Sequence, residues 1–380
     1  MYRYAILIIL ALLLLGACAE LPVPAPLHPL AGMTATPTVT ASPTVTPSPS
    51  PTPSPTPTPT PQPAELLARA ERAYEVGDWE SAQVLYERLL PLSSVPQEQA
   101  IEAALGLGKT LIAREAFTTG VTLLEDVAST VPDSPAASEA QLRMADAYMQ
   151  MGRSEDAVPH YRAVLAAQPI LAPYAHEWLG DALFASGIYT SALNAYTESL
   201  TLALTPSRQV FLWEKIALTH AARNDYAESL AAYDTILSIA QLPFYRARIA
   251  YQAAETARAF GDDEEALRRL REIIVSYPEE EEAYAALVQL VEVGEPVDDL
   301  LRGKIDYYAG AYGPAVQAFY RVINGDPDHT GEPHYFAGLS YLEAGSPQLA
   351  LGEFEMLIET HPDDAYWGSS WIGKARSLLA

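Results

Sequence analysis

Small residues recur along this chain with the spacing of a helical hairpin. Eight times, an Ala, Gly or Ser stands twelve positions after another small residue. Successive leading residues lie 35 to 38 positions apart, except for one step of 49 that ends at Gly303. A fixed period in this range predicts stacked helical hairpins, and this constrains the fold more than any other feature of the chain. The leading residues are Ala70, Gly108, Ala145, Gly180, Ala217, Ala254, Gly303 and Gly338, followed by a ninth, Gly373.

Each repeat also carries signals for the ends of its two helices. In the segment 176–206, Gly187 follows the first helix and Pro206 follows the second. Glycine just after a helix and proline beyond the next one are typical helix ends. Between them, Ala192 and Tyr196 lie four positions apart, on one face of the second helix. One hairpin cannot bury its apolar face alone, so stability requires that several hairpins stack.

The order of these residues resembles the tetratricopeptide repeat. The motif Trp178-Leu179-Gly180, followed by Gly187, Ala192, Tyr196 and Pro206, matches the pattern of that family. The resemblance covers residues 64–380. It implies an all-α fold: an α-solenoid, built as a right-handed superhelix of about eight hairpins plus a terminal helix. The first helix of each hairpin would then line a concave groove.

The long step before Gly303 predicts an additional helix near 281–293. Its helical pattern is apolar at Tyr284, Leu287, Val288 and Val291.

The amino-terminal residues 1–17 are typical of a bacterial lipoprotein signal peptide. Arg3 precedes an apolar run that is too short to span a membrane. Cys18, the only cysteine of the chain, follows Leu15-Gly16-Ala17. This arrangement resembles the lipobox, which implies a lipid on the Cys18 thiol and a protein anchored outside the cytoplasm, on the cell membrane or an outer membrane. The alternative is a cleaved signal next to an unrelated cysteine.

Residues 18–63 are predicted to form a tether between this lipid and the repeats. From residue 35 to residue 63 the chain is almost entirely Pro, Thr and Ser. Proline favours the polyproline II conformation, so the segment is expected to be a semi-rigid spacer. At ~3.1 Å per residue it would reach on the order of 90 Å. O-glycosylated threonines are an alternative use of the same composition.

The charge of the chain bears on its partners. Before Ala64 the charges of Arg3 and Glu20 cancel, so the net charge of −25 lies on the repeats. An acidic surface repels phosphate backbones, which argues against nucleic acid and favours cationic partners.

We predict no cofactor and no metal. The best metal-like cluster is His329 and His334 with Asp326 and Asp328, for which a solvated loop is the better interpretation; the other histidines, His361 among them, are scattered.

Aromatic residues are expected to face the groove. On a concave surface they suit peptide or glycan binding by stacking and burial. Many of these aromatic residues are equally well explained as side chains that pack between hairpins. At positions where carboxylate-clamping repeats carry Lys and Asn, this chain has acidic residues such as Asp146, Glu177 and Asp181. The candidate groove-binding residues are Tyr174, Phe184, Phe211, Tyr251, Tyr307, Tyr308, Tyr335 and Trp367.

The leading hypothesis is therefore a non-enzymatic scaffold of the cell envelope, which holds a protein, peptide or glycan partner in its groove. The alternative comes from the segments 297–303 and 306–310, which resemble the superhelical amino-terminal part of soluble lytic murein transglycosylases. In that family a lysozyme-like domain follows the helices, and its catalytic Glu stands in a Glu-Ser motif. The three Glu-Ser pairs of this chain are expected in second helices of the hairpins, where they cannot be the catalytic pair. Under this alternative, a catalytic domain would have to lie beyond Ala380. A lesser alternative is a lipoprotein of outer-membrane assembly.

Overall fold

The computed structural model describes residues 62–380. The predicted signal peptide, Cys18 and nearly all of the predicted tether lie outside the described residues. Between residues 62 and 380 the chain forms eighteen α-helices, one short 3-10 helix (Pro169–Leu171) and no strand. The prediction of an all-α solenoid of hairpins is confirmed.

Six hairpins come first, each made of two antiparallel neighbours in the chain. They are α1 (Pro63–Glu75) with α2 (Trp79–Leu89), α3 (Gln97–Ala113) with α4 (Phe117–Thr130), α5 (Pro135–Gln150) with α6 (Ser154–Ala167), α7 (Ala172–Ala185) with α8 (Tyr189–Thr201), α9 (Pro206–Arg223) with α10 (Tyr226–Ile239), and α11 (Pro243–Ala259) with α12 (Asp263–Ser276).

The remaining helices include one that interrupts the alternation. After α13 (Glu281–Glu292) come the hairpins α14 (Asp299–Tyr308) with α15 (Tyr312–Gly325) and α16 (Glu332–Glu343) with α17 (Pro347–Thr360), and then α18 (Trp367–Leu379). The apolar face of α13 differs from the sequence pattern, because Val288 and Val291 are exposed and only Leu287 of the predicted set is buried. Ala283 and Ala286 are fully buried instead, since their small side chains let α13 approach its neighbours closely.

Both columns of small residues are buried at the contact between paired helices. Glycine is required where a large side chain of the second helix crosses the first. A Cβ atom added to Gly180 would lie 2.5 Å from the Cε1 atom of Tyr196, and one added to Gly108 would lie 2.5 Å from the Cδ2 atom of Leu124. At Gly108 and Gly180, therefore, even an alanine would not fit unless the neighbouring side chain moved.

The turn inside each hairpin uses a left-handed residue one or two positions after the first helix. Glycine adopts this conformation without the steric cost of a Cβ atom, which is why Gly187 has a φ of +74° there. Two hairpins use another residue. Glu115, with a φ of 63°, stands at the same position as Gly187, whereas Asn224, with a φ of 66°, directly follows α9.

The apolar core runs along the array. Its largest cluster extends from Leu105 on α3 to Ala266 on α12, and smaller clusters lie towards each end. The largest fully buried side chains include Tyr196, Tyr233 and Phe354, all on second helices. Within residues 62–380, no helix combines the length and the apolar composition that crossing a membrane requires.

Candidate functional site

The eight predicted groove residues divide into two groups by burial. Tyr174, Phe211, Tyr308 and Trp367 are exposed to solvent over about two fifths of their surface (47%, 45%, 40% and 38%). The others are partly buried and pack against the core: Phe184, Tyr251, Tyr307 and Tyr335. Tyr335 stacks on Tyr366 with ring centroids 4.5 Å apart. The exposed group is therefore the part of the set that a ligand could contact.

Tyr174 of α7, Phe211 of α9 and Tyr245 of α11 lie along a surface that also includes the cations Arg208 and Lys215 of α9. We call this surface the central groove. The rings of Tyr174 and Phe211 each have a cation on one face. The guanidinium carbon of Arg208 lies 4.4 Å from the centroid of Tyr174, and the Nζ atom of Lys215 lies 4.8 Å from the centroid of Phe211. Cations at these distances are attracted by the ring quadrupole, so the two aromatic side chains are held in place.

The carboxylates of the central groove are bonded to these same cations. Arg208 donates to Glu177 at 2.5 Å, and Lys215 donates to Asp181 at 2.5 Å and lies 3.1 Å from Glu177. The Glu177 side chain is only 9% exposed. Lysine and arginine of α9 thus neutralise the acidic residues of α7. The sequence predicted an acidic lining here, but in the structure these carboxylates form ion pairs between successive hairpins.

A second pair of contacts joins α9 to α11. The Tyr245 hydroxyl donates to Glu214 at 3.0 Å, and Arg248 lies 3.6 Å from the same carboxylate. Burial and the Glu214 carboxylate raise the pKa of Tyr245 to about 12, because the neutral hydroxyl donates to that carboxylate and its ionised form would repel it.

Between α9 and α11 the groove deepens into a cavity of 510 Å³ with a mainly apolar lining. Phe211 and Val210 line one side; Leu242 and Tyr245 line the other. Leu242 is 59% exposed, so its side chain is open to solvent at the mouth of the cavity. Glu214 and Arg248 supply polar groups at its edge. The volume and chemistry suit one bulky apolar side chain with polar backbone on either side.

The sequence singled out Phe211 but missed Leu242, Tyr245 and the cations Arg208 and Lys215. One signal could have found the polar partners, because contacts between consecutive first helices repeat at a fixed separation. Glu177 with Arg208, and Glu214 with Tyr245, are each 31 positions apart. Leu242 lies in the loop before α11, where the period of the repeats says nothing about position.

The amino-terminal end of the array has a different, acidic cavity of 560 Å³. Glu71, Glu75 and Glu102 line it, together with Lys109 and Glu139, which form an ion pair at 2.7 Å. Burial and the neighbouring carboxylates of Glu71 and Glu98 raise the pKa of Glu102. Here the negative potential is not balanced by the pattern of ion pairs seen in the central groove.

The Glu-Ser pairs lie in second helices: Glu80-Ser81 on α2, Glu198-Ser199 on α8 and Glu228-Ser229 on α10. Ser199 and Ser229 are fully buried and donate to the backbone carbonyls of Pro173 and Ala217. These hydroxyls therefore serve helix packing.

Comparison with known families agrees with the geometry of the hairpins. Sequence models of the tetratricopeptide repeat match residues 142–207 and residues 249–280. The chain contains tetratricopeptide repeats. Such repeats generally form interaction scaffolds without catalytic groups, so a role in binding other proteins follows for this array. No curated protein matches the chain.

Solved structures with related hairpins include other tetratricopeptide repeat proteins. One from Parabacteroides merdae is 13% identical, with a TM-score of 0.44 over 83% of this chain and 98% of that one. MamA from Desulfovibrio magneticus is 16% identical, with a TM-score of 0.40 over 47% of this chain and 96% of that one. A mutant form of MamA is 20% identical, with a TM-score of 0.39 over 47% of this chain and 97% of that one.

Proposed function

We propose that this tetratricopeptide repeat protein is a scaffold of the cell envelope that binds an extended segment of a partner protein along the central groove. The observation that carries the proposal is the apolar cavity between α9 and α11, which opens beside the exposed ring of Phe211. The ion pairs of the groove fix its walls in advance, and a preorganised site loses less entropy when a ligand binds.

The lining of the groove indicates the chemistry of the segment. A bulky aliphatic or aromatic side chain fits the cavity, with its backbone beside the ion pair of Arg248 and Glu214. The net charge of −25 and the acidic cavity near α1 favour lysine or arginine elsewhere in the segment. Cell-wall glycan is the weaker candidate, because Glu177 and Asp181, which would accept from sugar hydroxyls, already accept from Arg208 and Lys215.

The binding part of the proposal predicts a specific loss. Peptides selected from a random display library on the repeats should share a bulky apolar residue and carry net positive charge. Phe211→Ala should weaken their binding about 30-fold, because truncation of an aromatic side chain at the centre of an interface costs about 2 kcal/mol. The affinities are measured by isothermal titration calorimetry.

Phe244→Ala is the matched control for this experiment. Phe244 is 56% exposed on the same helix as Tyr245, but it does not line the cavity. Its replacement should leave the affinity unchanged. If both variants lose affinity equally, or if the library yields no enriched peptide, the central groove is not the binding site.

The location of the protein is a separate part of the proposal. A lipid on the Cys18 thiol would hold the chain at a membrane, and the Pro/Thr-rich tether would carry the repeats away from it. In cells fed a clickable fatty acid, the full chain should be labelled and should sediment with membranes. Cys18→Ser should abolish the label, since no other thiol exists in the chain. A labelled, membrane-bound Cys18→Ser protein would refute the anchor and leave the groove proposal intact.

A further inference from the structure

Three histidines, two from loops and one from a helix, meet near the carboxy-terminal end of the array. His329 lies between α15 and α16, His334 lies in the first turn of α16, and His361 directly follows α17. One ring nitrogen from each histidine lies within 4.8 Å of those of the other two. His361, which the sequence left among the scattered histidines, is thus the third member of a cluster with His329 and His334. Asp326 and Asp328 are exposed and are not members of it.

Two of the three rings are oriented by acceptors on their Nδ1 atoms. The Nδ1 atom of His329 lies 2.7 Å from the backbone carbonyl of Thr330, and a carbonyl oxygen can only accept. The Nδ1 atom of His334 lies 2.7 Å from the carboxylate of Glu353. Each Nδ1 atom therefore donates a proton to its acceptor, and in the neutral form of such a ring the free lone pair lies on Nε2. This is the arrangement by which a carboxylate or carbonyl prepares a histidine to bind a metal ion.

Further contacts hold the orienting group of His334 in place. Glu353 is 9% exposed and accepts a hydrogen bond from the Tyr320 hydroxyl on its other carboxylate oxygen. His334 itself is 7% exposed. A buried, doubly bonded carboxylate behind a buried imidazole is a rigid support. A solvated loop, the interpretation that the sequence favoured, would not supply one.

We propose that His329, His334 and His361 form a zinc site that links the α15–α16 loop to the end of α17. Three neutral imidazoles are a donor set that suits Zn²⁺, whose fourth tetrahedral position would be open to water or to a group of a partner.

The cluster has to contract only slightly around the ion. Ligand nitrogens on a tetrahedral zinc at about 2.1 Å lie about 3.4 Å from one another. From a separation of up to 4.8 Å, side-chain rotations of His329 and His361 would bring the nitrogens together. Both side chains are only partly buried and belong to loops, whereas His334 is held by Glu353.

The test uses the full chain purified without a polyhistidine tag and stripped of metal with a chelator. We expect it to bind one zinc ion, measured by calorimetry with ZnCl₂ and by elemental analysis after dialysis. The cobalt form should show visible absorption of a tetrahedral ion. His361→Ala and His329→Ala should each weaken zinc binding at least about 100-fold, and zinc should raise the melting temperature of the wild type but not of these variants.

His220→Ala is the matched control, because His220 is also partly buried next to a carboxylate, that of Asp225, but lies outside the cluster. It should bind zinc as the wild type does. Circular dichroism of each variant without metal checks that the repeats are folded; two variants in different loops guard against a folding defect in one. The proposal is overturned if the stripped wild type takes up no zinc, or if both loop variants bind it with unchanged affinity.

Discussion

Phe354→Ala is expected to destabilise the carboxy-terminal hairpins by about 3–5 kcal/mol, the usual range for loss of a buried aromatic side chain. The ring of Phe354 is fully buried and lies against glycines of two successive first helices. A Cβ atom added to Gly338 would lie 2.8 Å from the ring, and one added to Gly373 would lie 2.5 Å from it. Because glycine has no side chain to move into the space, the cavity left by the ring would persist.

The effect should be local, because each hairpin of a solenoid contacts only its neighbours. Hydrogen–deuterium exchange followed by mass spectrometry should show faster exchange in α16, α17 and α18, with α1 to α10 unchanged. Met356→Ala is the matched control on the same helix, since Met356 is 47% exposed. Unchanged protection of α18 in the Phe354 variant would mean that this ring does not join the last two repeats.

Asp306→Asn is expected to raise the free energy of unfolding by about 2–3 kcal/mol at pH 8. The Asp306 side chain is buried on α14, and its Oδ2 atom has no hydrogen-bond partner within residues 62–380. The nearest cation, Arg302, is 3.9 Å away. Burial, only partly offset by Arg302 and Arg321, raises the pKa of Asp306 to about 6. An amide of the same shape avoids burying the charge.

The dependence on pH distinguishes this mechanism from a general gain in packing. The folded protein binds the Asp306 proton up to about pH 6, whereas the unfolded chain releases it near the ordinary value of 3.8. Asp306 therefore makes stability fall as the pH rises from about 4 to about 6, after which the loss is complete. Urea unfolding across this range should show the two proteins converging at low pH. The exposed Asp133→Asn serves as control; a gain for Asp306→Asn that is equal at pH 4 and pH 8 would contradict the mechanism.

The helical hairpins could be predicted from the sequence because the contacts that define them are local. Gly120 meets Gly108 across one tight turn, only twelve positions away, so the size limit on each residue appears directly as a period. Turn glycines such as Gly187 are equally local. For α13 the sequence predicted the helix but not its buried face, because the choice between Val288 and Ala286 depends on which neighbouring helix α13 contacts.

The two candidate sites depend on contacts between hairpins, which the sequence does not encode in one segment. Glu177 and Arg208 are 31 positions apart, and His329 and His361 are 32 apart. Whether such residues meet is decided by the rotation and rise from one hairpin to the next. The sequence by itself determined the helices, their pairing and the acidic charge of the array. Only the tertiary structure decided which side chains of successive hairpins meet, because small changes in that rotation move side chains by several ångströms without changing the hairpin pattern.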